Sequence, residues 1–174
     1  MGKNCLNKLS QSITVACTIP QVGVKDIYLM HPEDVTFTYG PTGAILGVAF
    51  SKATKSYKVE GYKQNIQVTA SLKTTDVSAR VDTSVTFKVP YSSGTSGFIN
   101  TLASGKFYVL VMFNDNDKKV LGDTSPLECS SADFDSNANA KMVTFTLASP
   151  EGSAGNHVRD ATTSVANEII SKSV

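Results

Sequence analysis

The run Lys106-Phe107-Tyr108-Val109-Leu110-Val111-Met112-Phe113 constrains the fold more than any other part of this sequence. Gly105 precedes it and Asn114-Asp115-Asn116-Asp117 follows it, so the apolar stretch is too short for an ordinary core helix. Its β-branched and aromatic residues favour a strand. Apolar side chains occupy both parities of that strand, which therefore needs cover on both faces. Val109, Val111 and Phe113 are expected on one face, and Tyr108, Leu110 and Met112 on the other. A strand of this kind belongs in the middle of a fold.

Weaker strand signals surround it. Val24 to Met30 is strand-like and stops at His31-Pro32, because the residue before a proline avoids the helical region. Val35 to Tyr39 and Ala44 to Phe50 flank Gly40-Pro41-Thr42-Gly43, which has the chemistry of a hairpin turn. Ile66, Val68, Ala70 and Leu72 alternate with polar residues, as do Val81, Val85, Phe87 and Val89, and again Met142 to Leu147. Ser92 to Thr95 can cap a short helix over about 95–104, with Phe98, Ile99 and Leu102 on one side and Gly105 as its stop. Val165, Ile169 and Ile170 could line a second helix, but Thr162, Thr163 and Ser164 weaken it. The expected fold is mainly β, an antiparallel β-sandwich or partly closed barrel with one short helix. Residues 1–23 read as an N-terminal arm, 24–150 as a single β domain and 151–174 as a C-terminal arm.

Composition narrows the function. Sixteen Lys and Arg stand against fifteen Asp and Glu, so no global field draws the chain to nucleic acid or to an anionic membrane. Thr14-Val15-Ala16-Cys17 has the outline of a lipoprotein signal end, yet the stretch before it is too short and polar for the apolar region such signals need. Cys5, Cys17 and Cys129 form no CxxC pair and are odd in number, which points to free thiols. His31 and His157 lack partners that would make a catalytic or metal-binding set. Asp133 to Asn139 resembles a calcium loop, but Ala138 and Thr144 stand where that pattern requires Gly and Glu, so it reads as an Asx-rich turn. No phosphate-binding glycine loop or nucleophile elbow occurs. The expectation is a protein that is not an enzyme, with no catalytic residue, cofactor or metal.

One charge asymmetry remains. Lys52, Lys55, Lys58, Lys63, Lys73, Arg80 and Lys88 outnumber the acids between 52 and 88, and the sign reverses over 106–135 with Asp115, Asp117, Asp123, Glu128, Asp133 and Asp135. Two solvated faces, or complementary edges that meet between subunits, both fit this pattern.

Three stretches together resemble a family. Gly23-Val24-Lys25-Asp26-Ile27-Tyr28-Leu29 comes first, then Phe98-Ile99-Asn100-Thr101-Leu102 ending at Gly105. Phe107 to Val111, followed by Asn114-Asp115-Asn116-Asp117-Lys118 and Leu121-Gly122, is the third. Their order resembles tail-tube-like virion proteins of tailed phages that infect gut Bacteroidales. Val22 replaces the first glycine of the family's opening, and Asp117 stands where its turn usually has glycine. The resemblance implies a tail-tube or neck and tail ring subunit that self-assembles around a DNA channel, in a virion built in the host bacterial cytoplasm. Partners would be copies of itself in a ring such as a hexamer, and other virion proteins. DNA would be only passing cargo, with no sequence-specific contact, and no membrane is involved. An Ig-like surface adhesion or decoration module is the competing reading, since such sandwiches share Thr-rich alternating strands.

In the resembled family an extended loop near Ser51 to Lys63 reaches from one ring to the next. The candidate assembly interface is therefore Lys52, Lys55, Tyr57, Lys58 and Tyr62, meeting Asp115 and Asp117 of a neighbour.

Overall fold

The structure, a computed structural model, describes residues 23–51, 55–60, 65–74, 79–134, 141–150 and 158–174. In chain order its elements are β1 (Val24–Met30), β2 (Val35–Tyr39), β3 (Ile45–Phe50), β4 (Tyr57–Glu60), β5 (Gln67–Thr74), β6 (Ala79–Pro90), α1 (Ser96–Ser104), β7 (Lys106–Phe113), β8 (Lys118–Leu121), β9 (Leu127–Phe134), β10 (Met142–Ala148), β11 (Arg159–Asp160) and α2 (Thr163–Ser171).

The apolar run is β7, and it is the hinge of the whole arrangement. One edge of β7 pairs antiparallel with β1, which carries β4 beyond it. The other edge pairs with β8 over Val109–Met112 and with β9 at Lys106 and Phe107. One leaf is thus β4-β1-β7-β8-β11, and the other runs β7-β9-β10-β6-β5. The leaves face each other across one core, where Ile27, Leu29, Val109 and Val111 meet Val85, Phe87, Phe145 and Leu147. The result is sandwich-like, and the sheet is not closed into a barrel.

Both faces of β7 are covered, as its composition requires. Phe107, Val109 and Val111 enter the core between the leaves, with Phe113 packed against its border. Leu110 enters a second core with Tyr108 and Met112 at its margin. Tyr28 and Met30 of β1 extend that second face, and two further pieces cover it: the β2–β3 hairpin through Val35, Phe37 and Ile45, and α2 through Val165, Ala166 and Ile169.

The second helix corrects the expectation of one. Thr162, which lowers helix propensity as an interior residue, is the N-cap of α2, and its hydroxyl accepts a hydrogen bond from the Val165 N–H. Residues 158–174 also do not hang free as the tail end of an arm. Thr162 N–H donates to Ile45 O, the Ser56 hydroxyl donates to Ile169 O at 2.7 Å, and Val174 N–H donates to Ser56 O.

Helix α1 falls where the sequence places it, for partly different reasons. Thr95 sits at the N-cap, yet its hydroxyl donates to Pro90 O at 2.7 Å and caps no helical N–H. Gly105 is extended, with φ −90° and ψ 168°, so a left-handed stop is not its purpose. A Cβ there would lie 2.4 Å from Phe107 Cζ, so the glycine is needed for close approach. Asp133 and Phe134, assigned to an Asx-rich turn from sequence, belong to β9, while residues 135–139 of that segment lie outside the described residues.

Candidate assembly interface

The described residues among those proposed from sequence fall in two places, at β4 with the residues before it and at the β7–β8 turn. Lys52 and Tyr62 lie outside the described residues. Lys55 is exposed, just before Ser56, where the chain enters β4. Tyr57 and Lys58 are strand residues of β4, opposite Leu29 and Tyr28 of β1. The Tyr57 ring packs edge-on to His31 with centroids 6.0 Å apart, and both border a hollow of about 140 Å³ with Leu29, Phe98, Leu102 and Phe107. Lys58 Nζ lies 2.9 Å from Glu60 and 3.7 Å from Asp26. Its hydrogen bond to Glu60 raises the Lys58 pKa despite some burial, and the same bond lowers that of Glu60.

The acidic stretch is equally committed. Asp117 Oδ2 is 3.2 Å from Lys119 Nζ, which also reaches Asp160 at 2.5 Å. Burial opposes the charge on Lys119, but these two carboxylates together raise its pKa. Asp115 Oδ1 accepts the Asp117 N–H within the β7–β8 turn, where Asn116 takes the left-handed conformation at φ 67°. Glu128 pairs with Lys106 at 2.6 Å. Much of the charge that sequence alone offers to a neighbouring subunit is therefore spent within the chain.

Asp123 is the deepest of these acids. Its side chain is fully buried, one oxygen takes a very short bond from Arg159 Nε, and Oδ1 has no hydrogen-bond partner among the described residues. Arg159 also donates to Gly43 O at 3.0 Å and lies over the Tyr39 ring, 5.1 Å from its centroid. Burial, and after it the Asp123 carboxylate, raises the pKa of both Tyr39 and Tyr108. This pair ties the C-terminal segment to the β2–β3 turn and to the loop after β8. It is a structural clamp, and the sequence gives no hint of it because the partners are 36 residues apart.

The larger feature is the leaf β9-β10-β6-β5. Its inner face carries Val85, Phe87, Phe145 and Leu147, and its outer face is polar. On that outer face Thr69 meets Ser84 at 2.6 Å and Thr86 meets Thr146 at 3.2 Å, cross-strand hydroxyl pairs of the kind that support a sheet. The charges there are mixed, with Lys73, Arg80 and Lys88 beside Asp82 and Asp133, and Arg80 lies 3.1 Å from Asp82.

The β5 edge of this leaf is open, and the β9 edge is strand-paired only at its start. Among the described residues, no strand pairs with β5 on the side away from β6. None pairs with β9 beyond Glu128 on the side away from β10, although α1 lies alongside. Natural proteins usually blunt such edges with short strands, proline or charge. β5 has eight residues, no proline and Lys73 as its only charge. The sequence signals the strand but not its exposure: Ile66 is buried, whereas Leu72, in the same alternating register, is 66% exposed.

Burial foremost raises the thiol pKa of Cys129, which is a free cysteine. Among the described residues there is no group of three His, Cys, Asp or Glu that could hold a metal ion. No helix there is long and apolar enough to cross a membrane. No protein-family model, curated protein or solved structure matches the chain.

Proposed function

We propose that the protein is a virion structural subunit, of a tail tube or of a neck or tail ring, that assembles with copies of itself around a channel for DNA. The observation that carries this reading is the leaf β9-β10-β6-β5, with an open β5 edge, a β9 edge that no described strand pairs beyond Glu128, and one hydroxyl-rich face.

The strand directions make lateral closure natural. All neighbours in the leaf are antiparallel, and it has an even number of strands, so β9 and β5 at its two edges run in opposite directions. A copy related by rotation keeps those directions and brings its β9 antiparallel to β5 of the first. The ladder then continues unbroken around a ring. β5 is also displaced along the strand direction from β9: it pairs with the start of β6, while β10 and β9 sit toward its end. A closed barrel needs such a stagger.

With the inner face committed to the core, the outer face would line the lumen. Its hydroxyls and near-balanced charges suit passage of a polyanion, because a strongly basic lining would release counterions and hold DNA in place. Electron microscopy of the purified protein at rising concentration tests the reading. Rings with a central lumen, or tubes built from them, are the expected result, and protein that stays monomeric at every concentration and salt overturns it.

A further inference from the structure

The β5–β6 hairpin is longer than the leaf that supports it. β10 ends at Ala148, opposite Ser84, and Ser149 N–H still donates to Thr83 O. Beyond that point four rungs continue as a bare two-stranded ribbon: Ser71–Asp82, Leu72–Val81, Lys73–Arg80 and Thr74–Ala79. By the register, Leu72 and Val81 lie on the face that turns inward lower down, where Val68 pairs with Val85. Here, among the described residues, no partner leaf is opposite, and Leu72 is 66% exposed. A two-stranded ribbon is marginal by itself in water, so an uncovered apolar face on one calls for a docking surface.

The opposite end of the same leaf supplies a second apolar feature. Tyr91, just past β6, and Phe134, the last residue of β9, are 51% and 50% exposed and pack at a tilt with centroids 5.0 Å apart. Beside them a groove of about 490 Å³ opens between the leaves, lined by Val89, Pro90, Phe98 and Met142 together with Lys58, Glu60 and Lys88.

We infer that the ribbon around Leu72 docks, in a second copy of this chain, on the Tyr91–Phe134 end of the leaf and its groove. This rests on the ring reading. If β5 and β9 close the ring sideways, the strand ends are what face the rings above and below. The two apolar features lie at those two ends. They are different surfaces, so the contact is head-to-tail and repeats without closing. Four rungs give the ribbon a footprint of roughly 13 by 10 Å, from about 3.3 Å per residue and two strands about 4.8 Å apart. That is far below the ~800 Å² per partner of a stable interface. A single contact is therefore weak, and stacking depends on a ring presenting several at once. Of the lysines to which the sequence reading assigns this contact, Lys58 lines the same groove.

Two single variants and their mixture test this. Leu72→Asp and Tyr91→Lys both change exposed side chains and should melt as wild type does. Each should form single rings, with the concentration needed for stacking raised at least tenfold. Mixed together, the variants should give ring doublets that grow no further, since each keeps the surface the other has lost. Stacking of Leu72→Asp protein at the wild-type concentration, or loss of the rings themselves, overturns the axial contact while leaving the ring reading in place. Wild-type protein that forms no rings overturns both.

Discussion

Arg159→Met is the most informative test of how the fold is held together. Asp123 has a fully buried carboxylate whose only hydrogen-bonded cation is Arg159, and its Oδ1 has no hydrogen-bond partner among the described residues. Removing the guanidinium leaves a buried charge without its counterion, which typically costs about 3–5 kcal/mol. The bond from Arg159 to Gly43 O is lost as well, at about 1 kcal/mol. Against a total stability of about 5–15 kcal/mol this is severe. For a chain of this length it corresponds to a fall in Tm of roughly 8–24 °C. Thermal melts followed by circular dichroism give the number, and hydrogen exchange locates it, with protection lost first in β11 and α2. The double variant Asp123→Leu with Arg159→Met removes both charges and should recover much of the loss. An Arg159→Met protein within about 1 kcal/mol of wild type would refute the clamp.

Other consequences follow from the same packing. Val111→Asp places a carboxylate in the core between the leaves and should cost more than about 4 kcal/mol, seen as insoluble or non-cooperatively melting protein. Gly105→Ala pushes a methyl group onto Phe107 and the Thr101 carbonyl and should destabilise by about 1–3 kcal/mol in a denaturant titration. Tyr28, Tyr39 and Tyr108 have pKa values raised first by burial, so their contribution to stability is intact below the unfolded value of about 10 and is lost as pH rises through the folded values. Absorbance at 295 nm should show these tyrosines titrating late, and Asp123→Asn should bring Tyr39 and Tyr108 down.

The sequence exposes most of the scaffold. The unbroken apolar run of β7 could only be a strand covered on both faces, and each of its side chains falls on the expected side. The β2–β3 hairpin follows from turn chemistry, with Gly43 at φ 80° where a side chain would be strained. What is not legible is decided at long range. β9 escapes detection because its alternation is interrupted by a bulge at Ser130, between the Ser131–Thr146 and Cys129–Leu147 pairs. α2 reads as weak because its threonines are judged as interior residues, when one of them is the cap.

The interface is harder to read than the fold. A run of lysines or aspartates looks available until the folded chain shows which of them pair with each other, as Lys58 does with Asp26 and Glu60. Exposure of Leu72 depends on how far the facing leaf extends, which the alternation of β5 does not reveal.

Ring closure through the edges of β5 and β9 can be tested by cross-linking. With Cys5, Cys17 and Cys129 replaced by serine, one cysteine is placed on β5 at Thr69 or Ser71 and one on β9 at Ser131 or Asp133, giving four pairs to oxidise. At least one pair should yield a ladder of covalent oligomers that stops at a single finite size, with each single-cysteine variant stopping at a dimer or below. Monomers from all four pairs under conditions where wild type assembles, or a ladder with no upper limit, would contradict closure through these edges.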